Sequence, residues 1–193
     1  MRIIGGEYKS RSIAMPRGVE MRPTQDKVRE ALFNILGDIT GRKVLELFAG
    51  SGAFGIEAIS RGAVSVTFVD NNFRCCRTIR SNLESLGISE SKYTIIKGSA
   101  LTIPEKFRAQ KFRAPAPEFG KFDIVFMDPP YYRNMAKKCL INVDSYDIVA
   151  PVGLVMVEHF KKDTLEVAEL ERLVFVDERR YGDTVITILR RTL

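Results

Sequence analysis

The run Asp128-Pro129-Pro130-Tyr131 follows the apolar stretch Phe122-Asp123-Ile124-Val125-Phe126-Met127. A short apolar run bounded by such a turn reads as a buried strand, and open parallel sheets bind ligands beyond the C-terminal ends of their strands. Two consecutive prolines fix the backbone and remove two N–H donors. The turn therefore presents acceptors, the Asp128 carboxylate and the Pro129 carbonyl. A planar exocyclic amino group offers two N–H donors to match them. Holding both turns its nitrogen toward an electrophile and lets lone-pair density develop there, while Tyr131 can stack on the face of a base. Little acid–base power is needed, because an amino nitrogen that has taken an electrophile is strongly acidic. Positioning and desolvation would carry such a reaction. Taken alone, the tetrad also reads as a rigid turn after a strand.

A second constellation lies upstream. Glu46-Leu47-Phe48-Ala49-Gly50-Ser51-Gly52-Ala53-Phe54-Gly55 ends one strand pattern and opens a helix pattern. Glycines there allow a turn that brings backbone N–H groups close to a ligand. Asp70 ends the next strand, twenty residues after Gly50, where a carboxylate can accept both hydroxyls of a ribose. The string Gly50-x-Gly52-x-x-Gly55 also fits a dinucleotide fingerprint, and a lone match is weak. Glu46 tilts the choice: its charge would repel a pyrophosphate but welcome a methionine ammonium, directly or through water. The chain also has no room for a separate dehydrogenase substrate domain. S-adenosyl-L-methionine is the expected cofactor, with a nicotinamide dinucleotide or a purely structural turn as the other readings.

The elements needed to position these groups are legible. Strand patterns cover 43–48, 65–70, 93–97, 122–127, 154–159, 172–180 and 183–190, and helix patterns cover 53–61, 72–86 and 134–149. Repeated βα units imply a mostly parallel seven-stranded sheet with helices on both faces, and Tyr181-Gly182-Asp183 closes an antiparallel C-terminal hairpin. Residues 2–15 read as a hairpin or extended arm. A helix follows from Gln25, with Thr24 as N-cap, an apolar face of Val28, Ala31, Leu32, Ile35 and Leu36, and Gly37 as its end. The expected organisation is an arm and helix over 1–41 and an α/β domain over 42–193. Residues 105–121, with the KFRA tetrad twice, read as a surface loop or short helix.

With 193 residues, 45% hydrophobic and 28% charged, the chain can bury one core and is not compositionally disordered. No apolar run is long enough to span a membrane, and Met1-Arg2-Ile3-Ile4-Gly5-Gly6 carries no apolar signal core. A cytoplasmic, membrane-free setting is expected. Cys75, Cys76 and Cys139 fit neither a disulfide framework nor zinc spacing, so no metal is expected. His159, the one histidine, ends an apolar strand beside Glu158 and reads as structural, and Lys161-Lys162 as a solvated pair. The formal net charge is +6. Seven basic residues between Met1 and Arg29 (Arg2, Lys9, Arg11, Arg17, Arg22, Lys27, Arg29) face three acidic ones, Glu7, Glu20 and Asp26. A basic arm suggests a polyanionic partner, nucleic acid first, although a solvated basic surface has the same composition.

Together these motifs resemble the amino-methyltransferases with a D/N-P-P-Y/F motif. The chain is more closely similar to the RsmD-like family of bacterial 16S ribosomal RNA (guanine-N2)-methyltransferases. The similarity runs nearly end to end: Arg2-Ile3-Ile4-Gly5-Gly6, Arg22-Pro23-Thr24 with Val28-Arg29-Glu30-Ala31-Leu32-Phe33-Asn34, Phe48-Ala49-Gly50-Ser51-Gly52, Asp128-Pro129-Pro130-Tyr131 and Tyr181-Gly182-Asp183-Thr184. The N-terminal pair of motifs is the specific part. The resemblance implies a Rossmann-like class I methyltransferase fold. It places Glu46, Phe48, Ala49, Gly50, Ser51, Gly52, Gly55, Asp70, Asn71, Ser99, Ala100 and Thr24 at the cofactor, and Asp128 to Tyr131 at the guanine. Arg2, Lys9, Arg11, Arg17, Arg22, Arg29, Tyr132 and Arg133 would meet RNA, with Arg22 to Arg29 closing over the cofactor as well. Ser99 stands where the class commonly carries an acidic residue near the adenine, and the 105–121 insert is longer than usual.

The implied partner is ribosomal RNA or the small subunit, an assembly intermediate included, and the implied state is a monomer. The tetrad fits any planar amino group, so DNA adenine-N6 or cytosine-N4 methylation is the alternative within the class. The lack of a sizeable target-recognition insert argues against sequence-specific DNA work. The basic arm argues against a protein-glutamine target. A nucleic-acid-binding module with a vestigial cofactor site is the alternative outside the class.

Overall fold

The computed structural model describes residues 1–19, 26–109, 121–131 and 134–193. Thr24, Arg22, Tyr132 and Arg133, and most of the 105–121 insert, lie outside the described residues. The chain divides into two compact units, Met1–Gly98 and Ser99–Leu193.

In the first unit, α1 (Asp26–Leu36) precedes β1 (Lys43–Leu47), α2 (Ala53–Ser60), β2 (Ser65–Asp70), α3 (Phe73–Ser85) and β3 (Tyr93–Lys97). The strands lie in the order β3-β2-β1, all parallel, with Val44 opposite Val66 and Val66 opposite Tyr93. Helix α2 is buried from Phe54 through Ser60, the mark of a core helix rather than an amphipathic one. Within that apolar run stands one charge, Glu57, with no exposure at all.

Glu57 explains how the N-terminal residues fold. They do form the expected hairpin, with a bridge between Arg2 and Ser12 and Ile3 N–H donating to the Arg11 carbonyl. The hairpin is docked, however, with Ile3 and Ile13 buried. The N–H groups of Ile4 and Gly5 donate to the Glu57 carboxylate at 2.7 and 2.8 Å. Tyr8 N–H donates to Ser60 Oγ, and Asn82 exchanges two hydrogen bonds with the Ala14 backbone.

Helix α1 turns a different face inward from the one its apolar spacing predicts. Val28, Arg29, Leu32 and Phe33 are buried, whereas Ile35 is 37% exposed. Two interactions account for the rotation. Arg29 reaches Glu57 and donates to the Arg2 carbonyl at 2.6 Å, and Phe33 stacks on Phe54 at 4.8 Å with the Arg61 guanidinium over its ring.

The second unit holds α4 (Ile103–Ala109), β4 (Phe122–Met127), α5 (Met135–Ser145), β5 (Val149–Phe160), β6 (Leu173–Tyr181) and β7 (Thr184–Arg191). Its strand order is β4-β5-β7-β6, with β4 and β5 parallel and the last two strands antiparallel. Gly182 at φ 66° makes the hairpin turn. Strand β5 starts five residues before the predicted one: Pro151-Val152-Gly153 looks like a break, but the strand passes through it with a register shift and Val152 at φ 57°. At Gly153 a Cβ would stand 2.8 Å from the Ala150 carbonyl oxygen, so only glycine fits this kink. Asp144, at the end of α5, accepts from the N–H groups of Glu171, Arg172 and Leu173 and so anchors the start of β6. The seven strands and the closing hairpin bear out the expected α/β class.

Candidate functional site

The glycine loop joins β1 to α2 through three residues with positive φ: Phe48 at 59°, Gly50 at 55° and Gly52 at 76°. Phe48 pays the steric penalty of a left-handed backbone without being glycine, on the order of 1–3 kcal/mol. Such strain persists where the surroundings over-determine it. Here Ala49 N–H donates to the Val69 carbonyl, Gly52 N–H to the Ala49 carbonyl, and Gly50 N–H to Asp70 Oδ2 at 2.8 Å. Gly55 has ordinary backbone angles but no space, since a Cβ would stand 2.4 Å from the Phe68 ring and 2.7 Å from Glu46 Oε2. That glycine serves close helix–strand packing.

The loop thus satisfies several of its own donors, a point its glycine spacing does not reveal. The N–H groups of Ala49, Gly50, Gly52 and Gly55 all have internal acceptors. What the loop offers a ligand is shape and two nearby carboxyls, more than those four N–H groups. Asp70 is 9% exposed and accepts from Gly50 and Asn72, one bond on each oxygen. Each carboxylate oxygen keeps a further lone pair, enough for the hydroxyls of a ribose. Asn71 is exposed, and Asn72 caps α3 by accepting from Arg74 N–H.

Glu46 is 4% exposed, and its Oε2 accepts from Gly55 N–H at 2.9 Å. It therefore caps α2, whose Gly52 has no side chain to do so. Burial pushes its carboxyl up to about 8, against the opposing pull of the Gly55 and Phe54 N–H groups and of Arg29, with the Asp70 charge adding to the rise. A buried carboxyl in this state is poised to ionise when a cation arrives. The loop shape, the ribose-suited Asp70 and the cation-suited Glu46 fit an adenosyl-amino-acid ligand, and the two carboxyls suit a pyrophosphate poorly.

In the second unit, Ser99 accepts from Leu101 N–H through its hydroxyl and from Thr102 and Ile103 N–H through its carbonyl, so it opens α4. Ala100 is buried, with its carbonyl accepting from Cys139 Sγ. The tetrad follows β4 directly: Asp128 is half-buried, Pro129 buried, Pro130 exposed and Tyr131 half-buried. Tyr131 is held at both ends. Its ring lies against Phe160 at 5.7 Å, and its hydroxyl is 2.8 Å from Thr184 Oγ1 and donates to Glu158 Oε1 at 3.4 Å. Glu158 and Thr184 are buried. Neither stood out as a tetrad partner; the only hint was Thr184 closing the Tyr181-Gly182-Asp183-Thr184 motif. His159 is buried, with Nδ1–H donating to the Phe160 carbonyl and Nε2 2.9 Å from Thr187 Oγ1. Burial lowers its basicity, as expected of a structural histidine.

Among the residues expected to meet RNA, Arg2, Lys9, Arg11 and Arg17 are exposed. Arg29 is not available to RNA: it is 1% exposed and committed to Glu57, Asp26 and the Arg2 carbonyl. Its charge is internal because Glu57 requires it.

The chain matches the family described as Conserved hypothetical protein 95 over residues 1–190. A Bacillus subtilis protein provisionally named as the rRNA methyltransferase YlbH is 34% identical, covering 99% of both chains. The Ribosomal RNA small subunit methyltransferase D of Haemophilus influenzae is 33% identical, over 86% of this chain and 81% of its own. A solved Escherichia coli structure, provisionally described as the methyltransferase yhhF, superposes with a TM-score of 0.80 at 27% identity, covering 100% of this chain and 98% of the other.

Proposed function

The chain belongs to the Conserved hypothetical protein 95 family, the RsmD-like methyltransferases read from the sequence, and from that premise we propose that it methylates ribosomal RNA. The transfer runs from S-adenosyl-L-methionine to the exocyclic N2 amino group of a guanine in 16S RNA of the small subunit. The observation that carries this reading is the Asp128-Pro129-Pro130-Tyr131 turn at the C-terminal end of β4, with Tyr131 locked by Thr184 and Phe160.

Bound by the first unit, S-adenosylmethionine would supply the electrophile, a methyl group on a sulfonium sulfur whose S–C bond breaks to leave a neutral thioether. Asp70 would hold the ribose hydroxyls, and Glu46 would meet the ammonium charge. Phe48 to Gly52 shape the loop around the ligand. Asp128 accepts one N–H of the target amino group and the Pro129 carbonyl accepts the other. This orients the nitrogen lone pair and stabilises positive charge as it builds there. Asp128 is also the nearest base in the tetrad for the proton released afterwards. The guanine must leave its stack to present this edge, and the Tyr131 ring offers its face in exchange. The exposed Arg2, Lys9, Arg11 and Arg17 supply affinity for the phosphate backbone.

Labelled cofactor supplied with unmodified small-subunit particles, protein-free ribosomal RNA and DNA tests the reading by nucleoside identification. Label in N2-methylguanosine of small-subunit RNA is expected. Label in N6-methyladenine or N4-methylcytosine of DNA, or no transfer to any substrate, overturns it.

A further inference from the structure

We propose that the groove between residues 14–18 and the first turns of α3 binds a single-stranded RNA segment, with Arg17 and Arg77 on its phosphates and Phe73 stacked on one of its bases. The proposal rests on the ribosomal RNA reading above and adds to the arm residue Arg17 a surface on α3 that neither the tetrad nor the arm supplies.

The groove has a volume of about 840 Å³ and lies wholly within the first unit. One wall is Met15, Arg17 and Gly18, and the other is the face of α3 that carries Phe73, Arg77 and Ser81 at successive turns. Among the described residues, no Asp or Glu lines it. Arg74 is already used: it donates to the Gly18 carbonyl at 3.0 Å and braces one wall on the other. Arg17 and Arg77 are exposed and enter no ion pair among the described residues. Phe73, in the same lining, is 62% exposed. A single exposed phenylalanine is ordinary. One that shares a groove with two exposed guanidinium groups combines a π-face with a charge track, the combination that holds unpaired strands.

Charge complementarity selects a polyanion, and the ring selects one with unstacked bases over a duplex. The position suits this role as well. Helix α3 begins three residues after Asp70, so a strand in the groove approaches the ribose-binding edge of β2. A base flipped for reaction leaves flanking nucleotides unpaired, and these need a surface of this kind.

The test uses the full chain and a short fluorescent single-stranded RNA of mixed sequence, with the same RNA as a duplex and poly-glutamate as competitors. Arg77→Glu should weaken binding about tenfold or more at low salt, and Arg77→Ala should lower the slope of log affinity against log salt by about 0.7. Phe73→Ala should lose about 5- to 150-fold with its salt slope unchanged, and Phe73→Trp should restore binding. Both side chains are exposed, and cofactor affinity should be unchanged in every variant. No binding of the strand by the native chain, native affinity in Arg77→Glu or Phe73→Ala, or competition by duplex or poly-glutamate as strong as by the strand, would each overturn the proposal. Methyl transfer to ribosomal RNA, measured in parallel, separates the two readings. Transfer that is insensitive to all groove variants sinks the groove alone, and absence of transfer by the native chain sinks the RNA reading itself.

Discussion

The glycine-loop region and the tetrad region hold their functional groups by opposite means. Around the loop, carboxylates are clamped by backbone N–H groups: Glu57 by Ile4 and Gly5, Asp70 by Gly50 and Asn72, Glu46 by Gly55. In the tetrad, two prolines have removed backbone donors, and the anchoring is done by a side chain, Tyr131, bonded to Thr184 53 residues away. A backbone clamp couples its carboxylate to the fold, because losing it unsatisfies buried N–H groups. A side-chain anchor couples its group to geometry at one point. The first region should answer substitution through stability and ligand affinity, the second through rate.

The largest expected effect sharpens the first half of this contrast. Glu57→Ala leaves the buried Arg29 with Asp26 as its remaining counter-charge, removes the carboxylate partner of Arg61, and leaves the Ile4 and Gly5 N–H groups without their acceptor. Breaking such a pair should cost about 3–5 kcal/mol of stability, read as a lowered denaturation midpoint. A loss below about 1 kcal/mol would mean that the hairpin and α1 are not held through this carboxylate.

Next comes Tyr131, where effects should fall on rate. Tyr131→Ala removes ring and anchor together and should slow single-turnover transfer about 10- to 150-fold. Tyr131→Phe keeps the ring but gives up the hydroxyl contacts with Thr184 and Glu158, and should cost about fivefold, one hydrogen bond's worth. Equal damage by Phe and Ala would assign the function to the hydroxyl, and no damage by either would place the base elsewhere.

The smallest effect concerns Glu46 and appears as protons rather than fold-changes. The folded chain holds this proton up to about pH 8, whereas an ordinary glutamate releases it near 4.5. The stability contributed by the neutral form is therefore whole below about pH 4.5 and is lost as pH rises toward 8. A bound ammonium favours ionisation, so cofactor binding at pH 7 should release a proton, seen as a binding enthalpy that depends on the buffer. Glu46→Gln keeps an acceptor for Gly55 N–H and should abolish both the release and this part of the pH dependence. Proton release unchanged in the variant would separate Glu46 from the ammonium.

Much of this was legible in the sequence wherever a period or a turn residue carried it. The seven strands, the helices, the Gly182 turn and the loop-plus-tetrad pairing of motifs all follow from local pattern. What escaped was buried polarity. Arg29 read as one more cation of a basic arm because charge counts do not know burial, and Ile35 read as core because apolar spacing does not know that Arg29 and Phe33 have partners. The clue was Glu57, a lone charge in the otherwise apolar α2, which a buried helix tolerates only with a counter-charge and donors. The partners of Tyr131 escaped for another reason: contacts that distant in sequence leave no periodicity. The Pro151–Gly153 kink escaped because the same residues that end strands also make bulges.

In the proposed reaction the first region retains cofactor while the tetrad performs transfer, and Asp128→Ala tests this division most directly. Cofactor affinity and single-turnover methylation of unmodified small-subunit particles would be measured on the same preparation. The account predicts affinity within about threefold of the native chain, on the order of 0.65 kcal/mol, and transfer reduced at least about a hundredfold. Transfer at the native rate, or affinity lost in step with transfer, would contradict it.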